Sequence, residues 1–279
     1  MTPMIMTGEA SRSRLYRILV FAYGIAAYVV GAGALVVAIL FLLHVFEFTG
    51  GPIGKLNLGA ALALDLLLLV AFAIQHSVMA RPSFKARWTR VIPASAERAT
   101  YLLATGLVLV PLLLLWQPMP AQVWSVEAPA LRWLVNAVAL AGWGYLLAAS
   151  FAINHFELFG VQQVYQTLRG RPLTPAPFRV RWMYRFDRHP IMSGILIGLW
   201  ATPTMRLDHL LFAIGCSVYV CIGVFFEERS LHRQLGRPYQ EYCANVRSIV
   251  PTFGTRRFEL QSQSQVGAAP TSTRSTGSS

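Results

Sequence analysis

The sequence predicts an all-α protein, a polytopic membrane bundle of four full spans and a C-terminal helical hairpin. Three observations carry this. Apolar residues make up 55% of the chain and charged residues 13%, with a mean hydropathy of +0.49. That is the balance of a membrane protein. Apolar runs free of formal charge recur at lengths that suit a crossing, which needs about 20 residues. The basic residues behind the net charge of +12 fall almost wholly between those runs. They read as loops lying against anionic lipid and not as a folded nucleic-acid face.

Taken in order, residues 1–13 are polar, and Arg12, Arg14 and Arg17 precede the first span. Residues 18–46 carry no formal charge, so this run tilts or extends beyond the bilayer; it is too long for the apolar core of a signal peptide. Its glycines Gly24, Gly31 and Gly33 allow close helix contact. After a short loop the second span covers 56–79, with Asp65 inside it and Gln75-His76-Ser77 near its end. A basic loop at 81–98 leads to the third span, 99–116, where Pro111 predicts a kink. Residues 117–130 contain no Lys or Arg, and the fourth span is 131–154. The connector at 161–190 is rich in Arg, and Pro172, Pro175 and Pro177 argue against one continuous helix there. The apolar piece at 191–204 would be only about 21 Å long at 1.5 Å per residue, too short to cross comfortably. With a second piece at 209–226 it reads as a helical hairpin whose tip can sit inside the bilayer. An amphipathic segment, 227–251, and a disordered Ser/Thr/Gln/Gly tail from Phe258 complete the chain. The domain reading is an N-terminal four-helix part at 1–160, a core at 161–257 and the tail at 258–279. Basic N-terminus, 81–98 loop, 161–190 connector and C-terminal segment place both termini in the cytoplasm.

The polar groups gather in two clusters. Tyr184-Arg185-Phe186-Asp187-Arg188-His189 stands just before Pro190, a residue suited to the first turn of a helix. The positive end of the following helix then lies beside this chemistry and favours an anionic ligand. Glu227-Glu228-Arg229 ends the next apolar piece. With the second and fourth spans running inward, His76, His155, Asp187, His189, Glu227 and Glu228 share roughly one depth. Ionisable groups at membrane depth are costly and point to function. Plainer readings stand beside this: interfacial histidines bonded to backbone at 76 and 155, a helix-end charge pair at Glu228 and Arg229, and Asp65 as a structural partner of a buried polar group. His44 and His209 read as outer-interface residues and His232 as solvent-exposed. Cys216, Cys221 and Cys243 form no C-x-x-C pair and read as reduced and structural.

Arg188-His189-Pro190 and Gly194, then Glu227-Glu228, Leu231, Gly236, Tyr239, Tyr242, Val246 and Pro251 resemble the integral-membrane S-adenosylmethionine methyltransferases. That family includes isoprenylcysteine carboxyl methyltransferases and phospholipid methyltransferases. Met192 departs from the Tyr that many relatives carry there, which weakens a carboxyl-methylation reading. A second likeness rests on Gln75-His76-Ser77-Val78-Met79-Ala80-Arg81-Pro82 and Asn154-His155-Phe156-Glu157-Leu158-Phe159-Gly160. It is similar to the methanethiol S-methyltransferases over most of the chain except the tail. The resemblance implies methyl transfer from S-adenosylmethionine to methanethiol, giving dimethyl sulfide, with hydrogen sulfide a further acceptor. It also implies a cofactor in the hairpin, reached from the cytoplasm, held by Tyr184, Arg188, His189, Pro190, Gly194, Glu227, Glu228 and Tyr239. In that reading Arg188 or the helix N-terminus meets the cofactor carboxylate, an acid accepts from its ammonium or ribose, and Tyr184 and Tyr239 face the adenine. Gly194 admits backbone closely. The base that activates the thiol is His76, His155 or Asp187.

The expected partners are a small volatile thiol and membrane lipid, with no metal, no nucleic acid and no obligate protein partner. The expected place is a bacterial-type inner membrane. Two alternatives stay open at this point. One is an isoprenylcysteine or phospholipid methyltransferase. The other is a haem-binding membrane isomerase with His76 and His155 as axial ligands, since haem-binding membrane proteins resemble this N-terminal part.

Overall fold

The computed structural model describes residues 12–46, 51–173 and 182–249. The polar tail, Pro175, Pro177 and Pro251 lie outside the described residues. Helix α1, Arg14–Leu42, starts at Ser13, whose hydroxyl accepts from Tyr16 N. Helix α2, Leu58–Ala80, starts at Asn57, which accepts from Ala60 N. Both are side-chain caps that satisfy an otherwise orphaned first-turn N–H. Helix α3, Pro82–Trp88, lies in the basic loop, and α4, Glu97–Leu115, continues through Pro111. Strand β1, Gln122–Ser125, precedes α5, Pro129–Ile153. The short helices α6, His155–Leu158, and α7, Val161–Leu168, follow. Helix α8, Pro190–Trp200, strand β2, Thr204–Arg206, and helix α9, Leu207–Leu235, form the hairpin, and α10, Arg237–Asn245, follows it.

The chain is an all-α multi-pass membrane protein. Among the described residues five helices are long and apolar enough to cross a bilayer: α1, α2, α4 with its preceding turn, α5 and α9. The hairpin differs from expectation in two ways. Its second arm is a full-length helix of 29 residues, so Glu227 and Glu228 lie within α9 and not at its end. Its tip is a strand paired with another part of the chain. Strand β2 pairs antiparallel with β1, Thr204 against Ser125 and Met205 against Trp124, which ties the tip to the connector between α4 and α5. The polar pairs Arg206/Asp208 and Glu227/Glu228 read as breaks in the sequence because their charges interrupt the apolar run, although α9 contains all but Arg206.

Polar contacts define the two ends of the bundle. At one end, the far end, Leu56 N donates to Gln117 Oε1, Met119 N to Asp208 Oδ2, and His44 bonds His209. At the other, the near end, Glu97 pairs with Lys85, Glu157 with Arg98 and Glu228 with Arg188. Asp65 is fully buried and accepts from Gln117 N at 2.9 Å, so it holds the chain where it leaves α4. That is the structural role expected for it. His44 and His209 face each other at 3.2 Å. His232 is half-buried, not exposed, and packs edge-on against Tyr239; the turn at Gly236 folds α10 back over it, which hydropathy does not report.

The core lies where small residues let backbones meet. Helix α8 is short, and it is held by a close backbone contact against α5. A Cβ on Gly142 would come 2.7 Å from Gly198 N, and one on Gly194 would come 2.6 Å from Leu146 N. Gly194 therefore admits the backbone of α5, not a ligand. Lipid offers no hydrophobic drive between helices, so such close packing is what holds them. This contact also crosses residue 160, so the two halves read from the sequence pack as one body. Around it, Trp116, Leu112, Leu113, Trp143, Leu146, Leu199 and Phe212 form one buried cluster.

Adding a methyl at the α5–α8 contact should be felt. Overpacking of this kind costs about 1–3 kcal/mol. Gly142→Ala is expected to lower the thermal midpoint in detergent, whereas Gly144→Ala, facing open space, is expected to leave it unchanged or raise it. Equal midpoints for the two variants would contradict the packing described.

Candidate active site

Glu228 is the hub of the near end. Its Oε1 accepts from Arg188 Nε at 3.0 Å and Nη2 at 2.6 Å, from His189 Nε2 at 3.1 Å and from Ser248 Oγ at 2.7 Å. Arg188 Nη1 donates to the carbonyls of Cys243 and Val246. The backbone adds Arg188 N to Arg247 O at 2.9 Å and His189 N to Ser248 O at 3.1 Å. Three stretches far apart in sequence, 187–189, Glu228 and 243–248, are thus tied around one carboxylate oxygen. The bonds to Oε1 leave Oε2 of Glu228 outside the knot.

His189 sits between two acids, with Glu227 Oε2 at 3.4 Å from Nδ1 and Glu228 Oε1 on Nε2. Burial opposes its charge, but the two carboxylates outweigh it and hold its pKa above the ordinary value. The two acids favour its protonated form, a donor and not a base. Asp187 is fully buried. Its Oδ1 accepts from His189 N at 2.9 Å, and the hydroxyls of Ser193 and Tyr145 lie against it. Burial pushes its pKa up despite these donors. The ordering of these side chains follows from the start of α8, where Pro190 at the first turn fixes the chain's entry and leaves first-turn N–H groups beside the knot.

The tyrosines play a supporting part. Tyr242 donates its hydroxyl to Tyr184 O, which ties α10 to the turn at Trp182–Arg185. Tyr239 is 1% exposed and packs with Tyr242, Val246, Leu231 and Leu235. It presents no open ring face for an adenine to stack on. Its phenol oxygen lacks a conventional hydrogen-bond partner and has only the weak thiol of Cys243 beside it. Arg188 also differs from expectation. Its guanidinium is committed to Glu228 and to two carbonyls, so it positions Glu228 and does not reach out to a ligand.

His155 and His76 lie apart from this knot. At His155, Ser150 spends its hydroxyl hydrogen on Leu147 O at 2.7 Å, so His155 Nδ1 donates to Ser150 Oγ at 2.8 Å. Nε2 is left to accept from Tyr28 at 2.8 Å. The ring stacks on Phe151 with centroids 4.2 Å apart, and burial lowers its pKa, so it is neutral. Both nitrogens are taken, which leaves none for an iron or a substrate proton. The surrounding motif is a structural corner. Asn154 Nδ2 bonds Glu157 and Gln162, Arg98 donates to Glu157 O, and Gly160, at φ +86°, lies so close to Ala99 N that a Cβ would meet it at 2.5 Å.

His76 is different. Thr105 donates its hydroxyl to Tyr101 O at 2.9 Å, so His76 Nδ1 donates to Thr105 Oγ1 at 3.1 Å. Its Nε2 then carries the lone pair. Phe72, Tyr101 and Tyr219 wall the ring, with centroids 5.4, 4.8 and 6.0 Å away. Tyr219 precedes Glu227 on α9 by two turns, about 12 Å of axial rise. Sequence reading missed Tyr145 and Ser248, because single hydroxyls in an apolar helix and a polar segment carry no distinguishing pattern.

Comparison with known proteins places this geometry. The family model for NnrU protein matches residues 65–254. A methanethiol S-methyltransferase of Mycobacterium tuberculosis is 43% identical over 241 residues, 84% of this chain and 97% of that one. One from Bradyrhizobium diazoefficiens is 39% identical, covering 87% of this chain and 86% of its own. One from a Pseudomonas strain is 48% identical over 68% of this chain and 74% of its own. No solved structure matches.

The charge state of His189 is open to measurement. The folded chain holds that proton to higher pH than the unfolded one, whose imidazole titrates near 6.5. The ion pairs therefore contribute fully below that value, and their contribution is lost as pH rises through the folded pKa. Asp187, raised from 3.8, shifts stability in the same sense and does not cancel the slope. The wild-type thermal midpoint is expected to fall from neutral to mildly alkaline pH, and to fall much less in His189→Gln. A wild-type midpoint that rises over that interval would contradict the assignment.

Proposed function

The chain belongs to the NnrU protein family and to the methanethiol S-methyltransferases within its reach, and on that footing we propose that it is an integral-membrane thiol S-methyltransferase. Its acceptor in this reading is methanethiol, giving dimethyl sulfide, with hydrogen sulfide a second acceptor. The donor is S-adenosylmethionine, which supplies a methyl already activated on a sulfonium. The observation that carries the reading is the near-end knot. Oε2 of Glu228 is held by a carboxylate whose other oxygen is saturated, ready to accept from an ammonium or ribose hydroxyl. The N-terminus of α8 stands beside it for a carboxylate. The phenol of Tyr239, with only a weak thiol beside it, offers one more polar contact near the same place. A donor set of one acid, one helix N-terminus and one phenol fits the polar parts of that cofactor.

The thiol must lose its proton for attack. A cysteine thiol titrates near about 8.5, and simple alkyl thiols are weaker acids. His76 suits the base: its Nε2 lone pair is available and its walls are aromatic. In the proposed step His76 Nε2 takes the thiol proton, the sulfur lone pair forms the new C–S bond, and the old C–S electron pair stays with the donor sulfur. Phe72, Tyr101 and Tyr219 surround the ring with aromatic faces, a setting that suits a small apolar thiol and keeps water from competing. His155 serves the corner, and Asp187 orients the start of α8. A haem reading fails on His155, whose nitrogens are both engaged.

The orientation we infer puts the near end and both termini in the cytoplasm of a bacterial inner membrane. Near-end cations are numerous, whereas the far end holds only Lys55, Arg132 and Arg206 among the described residues, as the positive-inside rule predicts.

Radiolabelled methyl transfer by purified protein tests the proposal. Methanethiol should be methylated and prenylcysteine should not. Glu228→Ala removes the acceptor shared by Arg188, His189 and Ser248, leaving Arg188 its two carbonyls and His189 only Glu227, and is expected to abolish donor binding. His76→Ala should lose about 10²- to 10⁴-fold in rate near neutral pH, with the deficit shrinking as alkaline buffer forms thiolate without help. Wild-type rates in His76→Ala at neutral pH would remove it as the base.

A further inference from the structure

The far end carries a second polar cluster that methyl transfer does not use. A cavity of about 340 Å³ lies between the end of α1, the start of α5 and β2. His44, Arg132, Asn136, Thr202, Thr204 and Arg206 supply its polar lining. It is large enough for a small headgroup.

Its cations are out of place for topology alone. The far end has three Lys or Arg side chains among the described residues, Lys55, Arg132 and Arg206, and two of them meet here. A face that otherwise excludes such charge does not concentrate it in one cavity without a counter-anion. Arg206 shares its charge with Asp208 at 2.6 Å. Among the described residues Arg132 bonds neutral acceptors, Val126 O at 3.1 Å and Thr204 Oγ1 at 3.3 Å, and its charge stands at the wall.

A second observation is independent of charge. An adjoining recess shares His44 and Arg206 with the cavity and is also lined by Trp116. The indole of Trp116 is 1% exposed, and its N–H has no hydrogen-bond partner. Leaving such a donor unsatisfied costs about 1–3 kcal/mol. A donor of this kind in a recess that it shares with Arg206, and with Asp208 paired to that guanidinium, suits an oxyanion that reaches in from the Arg132 side. The apolar part of the lining, Leu42 and Leu43, and the exposed Leu131, Trp133 and Leu134 along the first turns of α5 suit acyl chains; a Trp at this level is a usual interfacial anchor.

We propose that this far-end cavity binds the phosphate of a membrane phospholipid, with Arg132 as the main charge contact and the lipid chains lying along α5. Bound there, the lipid would bridge α1, α5 and β2, three elements that otherwise meet through few polar bonds.

Native mass spectrometry of the full chain, released from detergent with short-chain phosphatidylglycerol, tests this. Wild type is expected to retain one phospholipid, Arg132→Gln about tenfold less at equal lipid concentration, and Trp116→Phe an intermediate amount. Both variants should keep methyl transfer to methanethiol, which reports an intact fold. Diacylglycerol, which lacks the phosphate, should not be retained. Inorganic phosphate is the remaining arm, and it should compete only weakly. Equal retention by wild type and both variants, or retention of diacylglycerol, would overturn the site. Tight phosphate binding with no retained lipid would overturn its assignment to lipid.

Discussion

A half-buried carboxylate whose one oxygen is surrounded by four donors is the constraint on which the rest depends. Glu228 Oε1 is made tolerable at the edge of an apolar bundle only because Arg188, His189 and Ser248 all turn their hydrogens toward it. Desolvating one charge without partners is costly, so the surrounding chain is not free to drift. The start of α8, the last third of α9 and the segment after α10 are fixed relative to one another by that requirement. The Arg188 bonds to the Cys243 and Val246 carbonyls extend the same restraint into the C-terminal segment. What emerges is a rigid polar corner at the mouth of an apolar bundle, the setting a sulfonium cofactor and a volatile thiol both need.

The packing beneath this corner explains its precision. Helix α8 has only 11 residues, too few to be held by length. Gly142, Gly194 and Gly198 let it lie directly on the backbone of α5. At its far end the β1–β2 pairing and the Trp124 indole bond to Thr202 O anchor the chain that leaves it. The polar groups of the two ends are thus kept apart by a solid apolar middle. The Glu228 corner lies at one end, and the far-end cavity is separate from it.

Much of this was legible in the sequence, because charge and hydropathy are unambiguous in a membrane chain. The spans, the meeting of Arg188-His189 with Glu227-Glu228 and the burial of Asp65 all follow from residues that lipid forbids unless they are paired. Other features left no such trace. Strand β1 is four residues long, too short for an alternating pattern to stand out. Arg188 and Gly194 carry the right residue types for a ligand but spend them on Glu228 and on α5. Likewise the Asn154–Gly160 stretch reads as a polar motif near a membrane edge, yet its side chains build a corner against α4. His76 and His155 look alike in sequence, and both donate from Nδ1 to a hydroxyl; only the Tyr28 hydroxyl on His155 Nε2 tells which ring has its lone pair taken.

Hydrogen–deuterium exchange on the intact protein in lipid nanodiscs, with and without S-adenosylhomocysteine, tests the central claim most directly. Ligand should slow exchange in residues 184–194 and 239–248, the segments tied to Glu228, and leave the far-end stretch 199–209 unchanged. Protection confined to the far end or to residues 154–160, with the Glu228 corner unaltered, would contradict it.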